Sequence, residues 1–224
     1  FMTSDLGGGG QTVTRLPSHL KKIQELGNIN IGILLNYHYL TFYERSGSRK
    51  TQRMVFDKKK LELLNKSNQN FCEFFDSYNN SEDKNLDNNI FDVLLDSGSG
   101  KILADSILYY SFDKEHCVKH LKSLIPHQLK FASEKGSKFV IAMDYCKKLT
   151  YKNKEGRSEE YNKIISDLLL NQNYQNELLL HTLEEGEKYR DINIFAPIHG
   201  KDIDSFFKHY SSIRDLEIKN KKIF

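Results

Sequence analysis

Polar residues that could do chemistry follow four short apolar runs in the chain. The runs cover 29–35, 90–95, 138–143 and 192–198, and they end respectively at Asn36, Asp96, Asp144 and His199. An amide, two acids and an imidazole can together hydrogen-bond the edge of a polar heterocycle, and a carboxylate can also transfer a proton. The sequence therefore predicts a site where the four runs end.

The elements that must position these residues are strands separated by helices. Near-continuous apolar runs that alternate with helix-like segments are typical of buried parallel strands. Functional side chains collect at the carboxyl ends of such strands. We predict one α/β domain over 1–224, with flexible ends at about 1–10 and 212–224. Four such strands are about half of a (β/α)8 TIM-barrel-like fold, so the barrel is expected to be incomplete; an open doubly wound sheet is the competing architecture.

The helix pattern gives four further expectations. The first helix should carry Pro17 in its first turn and end at Gly27. A helix over 111–135 should kink or divide at Pro126, since proline removes a backbone N–H. Apolar spacing over 158–185 predicts one long amphipathic helix that ends before Gly186, and a short helix is expected over 202–210.

Composition limits the class of protein. The chain has 224 residues, 28% of them charged, and a formal net charge of only +3, which neither requires nor excludes a nucleic-acid partner. No apolar run approaches the roughly 18 residues needed to span a bilayer, and the first residues lack the features of a signal peptide. Three widely spaced cysteines indicate neither disulfides nor a zinc site. We expect a cytoplasmic protein without a membrane partner.

The basic segment over 44–60 and the acid at the second run end each have more than one interpretation. The segment could contact phosphates or form a solvated face. Asp96-Ser97-Gly98 is followed by Lys101, but Ile102 stands where a phosphate-binding loop needs a hydroxyl. Asp96 could bind an N–H edge of a base, act as a general acid/base, or cap the next helix.

The two later run ends are also open to two interpretations. Asp144 beside another carboxylate would form a proton-transfer pair, or it could be a cap or an ion-pair partner. Cys146 would need a basic neighbour to be a nucleophile, so we expect a pocket-wall thiol. His199 could donate a hydrogen bond to a ligand carbonyl, with Gly200 allowing close backbone approach, although a lone histidine is more often structural.

Four motifs in order resemble the tRNA-guanine transglycosylase superfamily. Its opening "TVK…ILGNTYHL" is similar to 11–14 and 33–40, its "DSGG" to 95–98, its "AFDEC" to 141–146, and its "GIVQG" to 195–200. The resemblance extends from about Gln11 to Gly200. It implies a (β/α)8 barrel and a pentosyltransferase that exchanges guanine for a 7-deazaguanine base in nucleic acid.

The resemblance also implies roles for individual residues. Asp96 would be the catalytic acid/base, with Ser97 and Gly98 beside it at the base. Asp144 would bind the base edge. The substrate-binding wall would be completed by Cys146, His199, Gly200 and Asn36. The target nucleotide would have to leave its stack for the enzyme to reach C1′.

The departures from the family narrow this expectation. Ser99 and Gly100 replace the usual continuation of "DSGGFQ", and His199 replaces a glutamine. The family's nucleophilic aspartate and Cys-rich zinc site have no counterpart here, so no cofactor or metal is expected in this chain. The divergence resembles the DNA-modifying branch more than the tRNA enzymes. The alternative function is a non-catalytic subunit that binds nucleic acid or a partner, and in either case we expect a homo-oligomer or a second chain that completes the barrel.

Overall fold

The sheet of this protein is built from parallel strands whose order in space follows their order in the chain. The computed structural model describes residues 2–3, 11–27, 31–37, 43–46, 53–56, 70–71, 73, 91–109, 113–145 and 157–220. Its strands are β1 (Met2–Thr3), β2 (Ile31–Asn36), β3 (Tyr43–Ser46), β4 (Arg53–Phe56), β5 (Phe91–Asp96), β6 (Phe139–Ile141) and β7 (Asn193–Phe195). The main sheet has the order β1-β2-β5-β6-β7, and all its pairings are parallel. The expected α/β class with a parallel sheet is confirmed.

Five of the described helices lie between strands in the chain, and the sixth follows β7. They are α1 (Gln11–Gln24), α2 (Ser99–Tyr109), α3 (Lys114–Glu134), α4 (Arg157–Leu170), α5 (Gln172–Gly186) and α6 (Ile203–Asn220). The hairpin of β3 and β4 is antiparallel and forms a separate small sheet between β2 and β5 in the chain. It overlaps the basic segment over 44–60, most of which lies outside the described residues.

One face of the main sheet carries the core. The buried strand residues of the described sheet all point to this face: Ile33, Leu35, Val93, Leu95, Val140 and Ile194. They pack with buried residues from all six described helices, among them Leu20, Ile102, Leu121, Ile165, Leu178 and Ile213. On the opposite face Leu34 and Leu94 are only partly buried. Both faces of the strands carry apolar residues, but the described helices cover only one of them.

The prediction that Pro17 lies in the first turn of a helix was wrong, and Pro126 does not divide its helix. Helix α1 begins at Gln11, six residues before Pro17, so the proline is not in the first turn. Helix α3 continues through Pro126, because its apolar face is buried on both sides of the proline: Leu121, Leu124, Ile125 and Leu129 are almost fully covered. The glycines end these helices as expected: Gly27 and Gly136 both have positive φ.

The long helix predicted over 158–185 is two helices. Asn171 separates α4 from α5, and its side-chain Oδ1 accepts the N–H of Asn173 at 3.0 Å. An asparagine in this position satisfies an otherwise unpaired donor of the first turn, so a local cap overrides the apolar periodicity. The predicted short helix over 202–210 is also longer, since α6 extends to Asn220 and buries Ile213.

Asn171→Ala is expected to lower the free energy of unfolding by about 1 kcal/mol, because it removes the acceptor that caps α5. Urea unfolding followed by circular dichroism measures the change. Asn173→Ala is the matched control, since the same residue type is removed two positions later without loss of the cap acceptor. Equal destabilisation by the two substitutions would contradict the capping role.

Candidate active site

Strand pairing brings the first two predicted site residues together. Asn36 and Asp96 are the last residues of β2 and β5, and they are register partners in the sheet. The Asn36 amide Nδ2 donates to Asp96 Oδ2 at 2.8 Å. Because both side chains belong to the face away from the core, the pair remains partly open to a ligand. The sequence prediction that these residues lie together is confirmed.

The turn after β5 holds the Asp96 carboxylate. Gly98 has a φ of 67°, a conformation that favours glycine, and the backbone N–H groups of Ser97 and Gly98 both hydrogen-bond to Asp96. The Gly98 carbonyl accepts the N–H of Ile102 and so opens α2. The buried Ser97 hydroxyl accepts the N–H of Ser99 at 3.2 Å. These hydrogen bonds fix the backbone conformation at the end of β5, next to the Asp96 carboxylate.

Asp144 lies three residues beyond the end of β6. The Ala142 N–H extends the ladder to the Phe195 carbonyl at 2.9 Å. Beyond it, the side chain of Gln175 on α5 makes two bonds to the Tyr145 backbone, accepting its N–H at 3.2 Å and donating to its carbonyl at 3.0 Å. This clamp holds the backbone next to Asp144, a residue that is 8% exposed.

Both carboxylate oxygens of Asp144 have partners. The Ser99 hydroxyl donates to Oδ1, and His199 Nε2 lies 2.5 Å from Oδ2. His199 reaches Asp144 from four residues beyond β7, so a contact spans 55 positions of the chain. A buried carboxylate with a hydroxyl and an imidazole as partners is well satisfied.

The two acids differ in their electrostatic environment. Burial raises the pKa of Asp96 above its ordinary value of 3.8, and the charge of Asp144 raises it further. Hydrogen bonds from Gly98, Asn36 and Ser97 oppose this effect but do not outweigh it. A carboxyl group with a raised pKa holds its proton to higher pH than a free acid does, which is what a general acid requires. Asp96 is thus suited to proton transfer.

The remaining predicted site residues behave differently. Cys146 lies outside the described residues. Gly200 closely approaches backbone, as expected, but the backbone is that of Phe206 on α6: a Cβ at position 200 would lie 2.5 Å from the Phe206 nitrogen. In the structure, this glycine therefore serves the packing of α6 against the loop after β7.

Three residues that the sequence analysis did not select contribute to the site. Ser99 bonds to Asp144, Gln175 holds the adjacent backbone, and His209 on α6 contacts His199. Ser99 was noted only as a departure from a motif. The other two are isolated polar residues on helices, with no local pattern that distinguishes them. Together with Leu169, Gln172, Gly200 and Ser205, His199, Gln175 and His209 line a small cavity beside the site.

Among the described residues, no group of three or more His, Cys, Asp or Glu side chains could hold a metal ion. No helix in the described part of the chain combines the length and apolar character needed to cross a bilayer. Comparison with known proteins gave no match to any protein-family model, curated protein or solved structure.

Proposed function

We propose that this chain is a guanine transglycosylase-like enzyme, a pentosyltransferase that exchanges guanine for a 7-deazaguanine base in nucleic acid. The single observation that carries the proposal is the placement of Asp96, at the end of β5, beside Asp144, in the loop after the adjacent strand β6, where the charge of Asp144 contributes to the raised pKa of Asp96. It is joined to the four sequence motifs that resemble this superfamily. DNA is preferred to tRNA as the polymer because the departures at 99–100 and 199 resemble the DNA-modifying branch.

The barrel architecture is part of this proposal. Strands that keep chain order without reversal, with the described helices packed on one face, are expected of a segment of a (β/α)8 barrel. A doubly wound sheet would reverse its strand order and carry helices on both faces. On the barrel interpretation, Asn36 and Asp96 face the interior at its carboxyl end, where barrel active sites form.

The reaction would proceed by two displacements at C1′ of the target nucleotide. A carboxylate nucleophile, not assigned among the described residues, forms a bond to C1′ while the bond to guanine N9 breaks and its electron pair goes to the base. Protonated Asp96 delivers its proton to the departing guanine. The incoming base then attacks C1′ through its N9, the bond to the nucleophile breaks, and Asp96 takes the N9 proton.

The other residues would bind the base and keep Asp96 poised. Asn36 orients the Asp96 carboxyl group through its 2.8 Å hydrogen bond. Asp144, anchored by Ser99 and His199, accepts hydrogen bonds from the base edge through its remaining lone pairs. Cys146 and Gly200 remain wall residues in this proposal. A reducing, cytoplasmic setting agrees with the free thiol of Cys117.

The test is incorporation of radiolabelled guanine into polymer. The 224-residue protein is incubated with labelled guanine and either double-stranded DNA or unmodified tRNA, and acid-precipitable label is counted. Label in one polymer, lost in Asp96→Asn and kept in Asp92→Asn, is the expected result; Asp92 is an exposed acid on the same strand. If the 224-residue protein labels neither polymer, the proposal that this chain catalyses base exchange by itself is overturned.

A second function is favoured by the surface of α6. Ile203, Phe206, Phe207 and Tyr210 recur at helical spacing and are 69%, 40%, 56% and 43% exposed. Exposed apolar stripes of this kind are typical of contact surfaces. If the chain is a non-catalytic subunit that binds a partner through this stripe, it should form a stable complex and incorporate no labelled guanine. Size-exclusion chromatography with light scattering would detect self-association.

A further inference from the structure

A second histidine lies behind the candidate site. His209 is in the second turn of α6 and is 4% exposed. Its ring nitrogen Nδ1 lies 2.9 Å from the backbone nitrogen of His199 and 3.2 Å from the His199 carbonyl oxygen. The two imidazole rings stack with 6.1 Å between centroids and 21° between planes. One residue therefore contacts both the backbone and the ring of His199.

The short contact determines the tautomer of His209. A backbone N–H can only donate, so Nδ1 must be unprotonated and accept, which leaves the ring proton on Nε2. Burial favours this neutral form by lowering the pKa of His209, and this effect outweighs the opposing effects of the backbone contact with His199 and of the charge of Asp144. A ring protonated at Nδ1 would have to turn to the His199 carbonyl instead and would lose the N–H bond.

In the described part of the chain, His199 makes hydrogen bonds with Asp144 and His209. It lies four residues beyond β7, in a segment without regular secondary structure, yet its Nε2 must meet Asp144 Oδ2 at 2.5 Å. His209 supplies an acceptor for its backbone and a flat surface for its ring. Helix α6 is held in turn by Ser212, whose hydroxyl donates to Asn176 on α5 at 3.3 Å, and by buried Ile213.

We infer that His209 is a positioning residue of the candidate site: it fixes the backbone and ring of His199 so that the imidazole meets the Asp144 carboxylate. Its effect on base exchange rests on the proposed function, whereas its effect on His199 does not. Helix α6 thereby becomes part of the site through a residue that need not touch the substrate.

Two substitutions separate the acceptor from the ring. His209→Asn keeps an acceptor near the position of Nδ1, whereas His209→Leu keeps bulk but has no acceptor. His181→Leu, a partly exposed histidine on α5, is the control for loss of a histidine. Protein labelled with 15N is examined by NMR for the amide hydrogen exchange of His199 and for the ring-nitrogen signals of both site histidines, and base exchange is assayed alongside.

The expected result begins with an unprotonated Nδ1 of His209 in the wild-type protein. In His209→Leu, the His199 amide should exchange about tenfold faster, as expected for one lost hydrogen bond, and the His199 Nε2–H signal that reports its bond to Asp144 should move or broaden. His209→Asn should preserve most of the amide protection. Base exchange should fall about tenfold in His209→Leu, mainly in kcat, and less in His209→Asn.

Other outcomes overturn the inference, or show that it holds although the proposed function does not. Unchanged His199 signals in His209→Leu would overturn it, and so would an equal loss of protection at core amides such as that of Leu121, which would make His209 a fold residue only. Altered His199 signals in a protein that labels neither polymer would support the positioning role while the proposed function fails.

Discussion

Asp96→Asn is expected to lower base exchange by about 100- to 10,000-fold, the usual contribution of a positioned general acid/base. The asparagine can retain a hydrogen bond with Asn36 through its side-chain oxygen, but it cannot deliver or take a proton. The fold should persist, because β5 is held by pairing with both β2 and β6. Incorporation of labelled guanine measures the loss. Asp92→Asn is the control, because it removes an exposed carboxylate from the same strand.

The same substitution should change how stability depends on pH. The pKa of Asp96 is raised in the folded protein by burial and by Asp144, so the folded state binds more protons than the unfolded state above the ordinary pKa of 3.8. Stability associated with Asp96 is therefore fully present below that value and is lost as the pH rises through the raised folded-state pKa. Asparagine has no such loss.

Urea unfolding of the wild-type protein, Asp96→Asn and Asp92→Asn at several pH values between 4.5 and 8 measures this difference. The stability of Asp96→Asn relative to wild type should increase with pH and then become constant. Asp92→Asn should follow the wild-type profile. A constant difference between Asp96→Asn and wild type across this range would contradict an elevated pKa at Asp96, and it would remove the electrostatic basis for the acid/base role.

The sequence predicted the half of the site that belongs to regular strands. The runs before Asn36 and Asp96 are long enough to identify β2 and β5, and parallel pairing of such runs places their ends side by side. For these two residues, the step from pattern to contact needs only the sheet. The predicted juxtaposition is confirmed by the 2.8 Å bond between them.

The other half depends on loops, which have no periodicity to analyse. The hydrogen-bonded strands β6 and β7 end at Ile141 and Phe195, so Asp144 and His199 are carried by irregular backbone. Their contact across 55 positions follows from how the two loops fold over the sheet. Neither the Gln175 clamp nor the His209 contact has a local signal, since each is set by the packing of a helix on a distant loop.

The sequence predicted the helix boundaries incorrectly for a related reason. Apolar spacing over 158–185 is continuous enough for one helix, but it cannot show that Asn171 caps a second one. The same spacing is correct about the buried faces on both sides of the break, where Ile165, Leu168 and Leu178 enter the core. Periodicity therefore identifies which side of the chain is buried better than it identifies where an element ends.

Gly200→Ala is expected to lower the free energy of unfolding by about 1–3 kcal/mol, the usual range for an added methyl group in a site without space. The new Cβ would lie 2.5 Å from the nitrogen, 2.6 Å from the Cα and 2.7 Å from the Cβ of Phe206. Two of these atoms are backbone, so no side-chain rotation can relieve the clash. The loop after β7 and the start of α6 must move apart.

The start of α6 resists such a movement. Asp202 Oδ1 accepts the N–H of Ser205 at 2.8 Å, and the Ser205 hydroxyl accepts the N–H groups of Lys201 and Asp202 at 2.8 and 3.1 Å. These bonds join the residue after Gly200 to the first turn of the helix, and the Phe206 N–H is already committed to the Asp202 carbonyl at 3.0 Å. Separation therefore costs hydrogen bonds as well as packing.

Gly186→Ala is the matched control, because it adds the same methyl group against a yielding neighbour. Its Cβ would approach the Ile194 Cδ1 at 2.6 Å, the free end of a flexible side chain, and alanine is favoured over glycine in a helix by about 0.5–1 kcal/mol. The control should therefore remain close to wild type in urea unfolding.

Because His199 and His209 lie on either side of the Gly200 contact, Gly200→Ala should also weaken their hydrogen bond and so reduce base exchange, whereas Gly186→Ala should not. Equal stability of the two variants would mean that α6 can shift without cost, and that the helix does not hold His199 in place.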